Sequence, residues 1–218
     1  MGKVSFPVDE HPLYREHAEA LDRYVALLEE DQALRHELYD RPDPSKRRLR
    51  VACNECETPW CCNQRVSVDI VEALAIYRWA ARRAPDALEA VVKRGKALRA
   101  GRPLDDKEHF RRKMTCPFLV KGRCAIFAVR PQRCRSHYMA GNPQRCRDEL
   151  APRETYEMNP DRTILNELRA IADDVRFFAH IEDVRVDELA QALHLVDEIV
   201  RGGVTWDRPR VLDWTLVE

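Results

Sequence analysis

The chain has 218 residues, 44% of them hydrophobic, and its 37 lysines and arginines balance 37 aspartates and glutamates. Zero net charge argues against a generally basic nucleic-acid-binding protein, and no apolar run approaches the roughly 20 residues of a membrane-spanning helix. A chain of this length is expected to form one domain that buries a core without disulfide bonds.

Apolar residues recur at helical spacing in five stretches of the chain. Ser67 is expected to cap the second helix, and Pro and Gly breakers separate the others. The tail from 204 to 218 is expected to lie across the body as extended chain. The helices are predicted over residues 12–40, 67–83, 85–100, 164–178 and 189–200.

The segment from Met114 to Cys146 has only short apolar pieces, which indicates loops with one or two short helices or strands. Lys121 and Gly122 predict a turn within it. The predicted fold is therefore mainly α, a helical single domain with a loop-rich cysteine cluster. Its parts are an N-terminal helical segment, a cysteine-cluster metal-binding core, and a C-terminal helical segment with a tail, over residues 1–50, 51–148 and 149–218.

Eight cysteines in two groups bear most directly on function. The N-terminus lacks the apolar segment and cleavage site of a secretory signal, so we expect a cytoplasmic protein with reduced thiols. Clustered soft ligands in such a protein indicate a metal, either zinc or an iron–sulfur cluster. The predicted metal ligands are Cys53, Cys56, Cys61 and Cys62 in the first group and Cys116, Cys124, Cys134 and Cys146 in the second.

The two groups are expected to build a shared site. Helices over 67–100 form a hairpin that returns the chain near its starting point, and the second group lacks a C-x-x-C pair of its own. One zinc ion or one [4Fe–4S] cluster uses four thiolates, so eight thiols fit two sites or one site with spare thiols. In extended chain the neighbours Cys61 and Cys62 would point to opposite sides.

Local charge favours a bound anion or thiolates. From His109 to Arg147 there are ten Lys and Arg residues and no Asp or Glu, which gives that stretch a charge of +10. The candidate cofactor-binding residues around the metal are Arg133 and Arg135, on either side of Cys134, and His137. The same stretch also fits a solvated basic face or a surface for an anionic or protein partner. His137 fits equally well an ordinary structural histidine.

Residues 51–138 resemble the CxxCxxCC (YkgJ-like) cysteine-cluster family of zinc- or iron-chelating proteins. The likeness lies in the first cysteine group, in Cys-Pro-Phe-Leu at 116–119, in Cys124, and in Arg-Pro-Gln-Arg-Cys-Arg at 130–135. Four residues separate Cys56 from Cys61 where the family name has two, which leaves open which of the two adjacent cysteines is a ligand. The resemblance implies metal chelation with zinc or iron–sulfur.

The resemblance also implies an alternative. Some family members are similar to flagellin lysine N-methylases, so a metal-dependent enzyme of redox or group-transfer type is the second interpretation. The chain has only 7 glycines and no glycine-rich nucleotide loop after a strand, which argues against a Rossmann-type cofactor site.

Overall fold

Helices make up 76% of the residues that the structure describes, which confirms the mainly α prediction. The structure is a computed structural model. It describes residues 8–40, 60–100, 109, 111–139, 155–157, 161–179, 185–186 and 188–201. The predicted extended tail lies outside these residues.

The predicted first helix is two helices in near continuity. Helix α1 spans Pro12–Glu16 and α2 spans Ala18–Asp40, with a 3₁₀ turn at Val8–Glu10 before them. His17 interrupts the helix because its backbone adopts φ −114° and ψ 20°. Its N–H still donates to the carbonyl oxygen of Leu13 at 3.2 Å, so the chain continues in nearly the same direction.

Helix α3, Ile70–Arg83, is the centre of the core, and α4, Pro85–Ala100, follows it directly. The N-cap of α3 is Asp69 and not the predicted Ser67, since an Asp69 side-chain oxygen accepts a hydrogen bond from the N–H of Val71 at 2.8 Å. Tertiary pairing explains the shift: strand β1, Val68–Asp69, is held extended by its antiparallel partner β6, Arg185–Val186.

Two C-terminal helices complete the core. Helix α6 spans Arg162–Phe178 and α7 spans Leu189–Val200, close to the predicted bounds. Helix α3 packs against α2, α4, α6 and α7. Gly95 on α4 allows α7 to approach closely, because a Cβ at this position would lie 1.9 Å from the carbonyl oxygen of Ala190.

Short elements form the described part of the second cysteine segment, and they are more numerous than the one or two predicted. Lys121 and Gly122 make the predicted turn with φ 50° and 76°, and both values lie in the left-handed region that suits a two-residue hairpin. The elements are hairpin strands β2, Leu119–Val120, and β3, Arg123–Cys124; a 3₁₀ turn at Phe127–Val129; helix α5, Gln132–Ser136; and strand β4, His137–Met139, paired with β5, Thr155–Glu157.

A helix must be both long and apolar to span a membrane. None of the described helices combines the length and the apolar character needed to cross a bilayer.

Candidate metal centre

Five of the eight predicted ligands are described, and all five are free, half-buried thiols. The first group contributes two adjacent cysteines on a 3₁₀ turn, Trp60–Asn63. The second group contributes one cysteine before the hairpin, one on β3 and one on α5. The described thiols are those of Cys61, Cys62, Cys116, Cys124 and Cys134, whereas Cys53, Cys56 and Cys146 lie outside the described residues.

The two groups meet in space. The N–H of Cys116 donates to the carbonyl oxygen of Cys62 at 2.6 Å. The thiol of Cys62 also interacts electrostatically with those of Cys116 and Cys124, and the thiol of Cys134 interacts with Cys61, Cys116 and Cys124. The helical hairpin of α3 and α4 therefore returns the chain as the sequence predicted.

The adjacent cysteines do not lie in extended chain, so the condition under which they would point to opposite sides is not met. Residues 60–63 form a 3₁₀ turn instead of extended chain, and the thiol of Cys62 donates a hydrogen bond to the sulfur of Cys61. This bond, aided by the positive charge of Arg130, lowers the pKa of Cys61 to about 7 against the opposing effect of burial. The same bond, together with burial, raises the pKa of Cys62.

Backbone N–H groups face two sulfurs of the second group. The N–H of Phe118 donates to the sulfur of Cys116, and the N–H of Ile126 donates to that of Cys124. Both donors stand two residues after the cysteine, in positions fixed by the β2–β3 hairpin. Burial raises the pKa of Cys116 to about 12 and also raises that of Cys124, while these donors act in the opposite direction. Such hydrogen bonds stabilise a thiolate once it forms.

Cys134 lies on α5, where burial raises the pKa of its thiol well above the ordinary value. A buried polar network anchors this helix to α2 and α3. The fully buried Arg135 forms an ion pair with Asp31, and its Nε donates to the carbonyl oxygen of Arg130 at 2.7 Å. The N–H of Gln132 donates to a carboxylate oxygen of Glu72 at 2.7 Å.

The predicted cofactor-binding residues therefore fall in three different settings. Arg135 is directed to the carboxylate of Asp31, and Arg133 is exposed on the surface. His137 begins strand β4 opposite Glu157, and its side chain lies outside the described part of the chain. The ion pair of Arg135 makes it a residue that holds α5 in place.

Arg130 is the cation that acts on three of the described thiols, and Arg94 acts on that of Cys116. The charge of Arg130 lowers the pKa of Cys61, Cys124 and Cys134, in each case against burial. The Arg130 guanidinium lies 4.4 Å from the centre of the Phe127 ring and donates to the side-chain oxygen of Gln32 at 3.1 Å. Its buried Nε–H has no hydrogen-bond partner among the described residues. Arg130 is one of ten cations between residues 109 and 147, and the sequence marks it only as the first residue of the Arg-Pro-Gln-Arg-Cys-Arg motif.

A second polar cluster joins the first cysteine group to the second and to α7. Nδ1 of His109 lies 3.0 Å from the carbonyl oxygen of Asn63, and the hydroxyl of Thr115 donates to the side-chain oxygen of Asn63 at 2.6 Å. Nε2 of His109 is 3.5 Å from a carboxylate oxygen of Glu188. This cluster fixes the residues next to Cys62 and Cys116, and the sequence analysis missed it.

The chemistry of the donor set fits a soft, thiophilic metal. Its candidate ligands are thiols, and two of their sulfurs accept hydrogen bonds from backbone N–H groups. Within the described residues, no group of three or more His, Cys, Asp and Glu side chains is arranged to hold a metal ion. Three of the eight predicted ligands lie outside that part of the chain.

Comparison with known proteins gives no family assignment. No family model, no curated protein and no solved structure matches this chain. The resemblance to the CxxCxxCC family and the ligand assignments therefore stay predictions.

Proposed function

We propose that the protein binds zinc or an iron–sulfur cluster through cysteine thiolates drawn from both cysteine groups. The observation that carries this proposal is the convergence of five described thiols from segments about fifty residues apart. Isolated buried cysteines act as small hydrophobes and need no such grouping. Soft-metal sites are built from thiols that two or more segments bring near one another.

The surroundings of the sulfurs favour their charged form once a metal is present. Burial keeps Cys116, Cys124 and Cys134 protonated in the free chain, so metal binding must displace protons. The N–H donors at Cys116 and Cys124 and the charge of Arg130 then stabilise the thiolates. Four thiolates on Zn²⁺ or on a [4Fe–4S]²⁺ cluster leave a net charge near −2, which a neighbouring guanidinium offsets.

The described thiols are five of the eight predicted ligands. Cys116, Cys124, Cys134 and one of the adjacent pair are the described candidates, and the three remaining cysteines are outside the described residues. Zinc would supply a structural cross-link between the two segments, and an iron–sulfur cluster would supply electron transfer.

Exposed cations around the candidate site favour an anionic partner, such as an acidic protein surface, and we place the reduced thiols in the cytoplasm. Such a complex would weaken steeply with added salt, because its charges lie at the surface. The exposed cations are Arg111, Arg112, Lys113, Lys121, Arg123 and Arg133.

The decisive experiment is anaerobic purification of the full chain with metal analysis and a visible spectrum. Absorption at roughly 400 nm with bound iron and sulfide supports the cluster, whereas a colourless protein with bound zinc supports the structural alternative. Metal content per chain should fall in Cys116→Ser and Cys134→Ser. The matched control is Ala125→Ser, which adds a hydroxyl beside Cys124 without removing a thiol.

The ligand assignments fall if metal content is unchanged in both cysteine variants and in Cys53→Ser and Cys56→Ser. The proposed function itself falls if the anaerobic protein holds neither metal at a stoichiometric level.

A further inference from the structure

The adjacent thiols of Cys61 and Cys62 form a unit that is chemically distinct from a four-thiolate site. The thiols of Cys61 and Cys62 belong to neighbouring residues of one 3₁₀ turn, Trp60–Asn63, and each thiol is the largest influence on the pKa of the other. Both side chains are half-buried and free. Two sulfurs held side by side are too few for tetrahedral zinc or a cluster, but they suffice for a ligand that needs two thiols.

This pair resists the reaction that usually consumes neighbouring thiols. A disulfide between adjacent residues closes a small ring that strains the backbone, because disulfide geometry is specific. The C-terminal end of the turn is also held in place, since the carbonyl oxygen of Cys62 accepts from the N–H of Cys116 at 2.6 Å and Asn63 contacts His109 and Thr115. The pair therefore stays a preorganised dithiol, and preorganisation lowers the cost of two-point binding.

We propose that Cys61 and Cys62 form a chelating dithiol site for a monosubstituted trivalent arsenical or a similar thiophilic trivalent metalloid. For a compound R–As(OH)₂, two As–S bonds form and two As–O bonds break. The two thiol protons leave with the hydroxide groups as two waters, and arsenic stays in the +III state. The chemistry is soft-ligand exchange without electron transfer.

The site goes beyond the proposed metal function, because it needs only the adjacent pair. A protein without zinc or iron can still bind the arsenical, and a metal-binding protein can fail to do so. The two proposals are therefore separable by experiment.

The test uses phenylarsine oxide, the dehydrated form of C₆H₅–As(OH)₂, with the reduced, metal-free full chain. Because the predicted pair Cys53 and Cys56 offers a second dithiol, the reference protein is the C53S/C56S variant. We expect about one equivalent bound per chain, stable to a monothiol and removed by 2,3-dimercaptopropanol. Adding Cys61→Ser or Cys62→Ser should weaken binding by about 100-fold, since a chelate becomes a single bond. Adding Ala125→Ser, which removes no thiol, is the control and should leave binding unchanged.

A readout on the unmodified chain keeps the test independent of the variants. Cleavage after glutamate separates the peptide 58–72, which contains Cys61 and Cys62 and no other cysteine, from Cys53 and Cys56. Mass spectrometry should locate the arsenic within this peptide. The proposal is overturned if arsenic bridges Cys62 to a cysteine of the second group, or if binding persists without Cys61. It is also overturned if the C53S/C56S chain keeps its helical circular dichroism but binds no arsenical.

Discussion

Replacing Asp31 with asparagine is expected to destabilise the fold and to expose the thiol of Cys134. The carboxylate of Asp31 is 2% exposed and serves two guanidinium groups. It accepts from Nε of Arg35 at 2.8 Å and forms the ion pair with Arg135. One carboxylate therefore pairs with two buried guanidinium groups, that of Arg35 on the same helix and that of Arg135 on α5.

The structure sets the size of the effect. Without the charge of Asp31, the carboxylate that remains near Arg135 among the described residues is Glu72, whose oxygen lies 4.0 Å from Nη2. Removing one partner of a buried ion pair costs about 3–5 kcal/mol. Asparagine still offers an acceptor oxygen, so we expect a loss of about 3 kcal/mol. That is a large share of the roughly 5–15 kcal/mol by which domains are stable.

Two measurements test this prediction. Urea unfolding followed by circular dichroism gives the change in stability, and mass spectrometry gives the alkylation rate of Cys134, which should rise as α5 loosens. The control is Glu167→Gln, which removes an exposed pair with Arg23 (2.6 Å) and should leave the urea midpoint unchanged, as expected of surface pairs. If Asp31→Asn unfolds at the same urea concentration as the parent chain, the buried pair does not hold α5.

Three further changes test the packing, the charge at the thiols and the pH dependence. Gly95→Ala should lower the free energy of unfolding in urea by about 1–3 kcal/mol, because the added Cβ would overlap the carbonyl oxygen of Ala190. The control is Lys93→Ala at an exposed position, and equal urea midpoints for the two variants would contradict the reasoning. Arg130→Met should weaken zinc binding by about 10-fold or more while Arg130→Lys keeps most of the affinity, and equal affinity in both would remove the charge effect. Burial lowers the pKa of His194 below its ordinary 6.5. The unfolded chain therefore binds the proton more readily than the folded chain, and the free energy of unfolding decreases as the pH is lowered from 7. His194→Gln should show a shallower fall in urea midpoint between pH 7 and 5, and an unchanged slope would refute this.

Helix positions were predictable because apolar spacing is a local property. The bounds of α3, α4, α6 and α7 agree with the predicted spans within a few residues. The errors lie where distant residues decide. Asp69 and not Ser67 caps α3 because β6 pairs with β1, and this partner is over a hundred residues away in sequence.

The candidate site was predictable in its cysteines and not in its supporting residues. Two cysteine groups are visible in the sequence, and the short hairpin between Cys116 and Cys134 follows from its turn residues. Asp31 and Arg135 are 104 residues apart, so no local pattern links them. The geometry of Cys61 and Cys62 was also missed, since a 3₁₀ turn and an extended segment of four residues look alike in sequence.

The polar networks predict how the protein responds to removal of its proposed metal. Structural metal sites usually couple binding to folding. Here, however, Arg135 with Asp31 and Asn63 with His109 hold the cysteine segments through bonds that need no metal. Chelation should therefore speed amide hydrogen exchange in residues 114–136 only in part, and it should leave α3 and α7 fully protected, because those helices belong to the apolar core. Exchange that rises equally in α3 would mean that the metal, and not the helical core, sustains the fold.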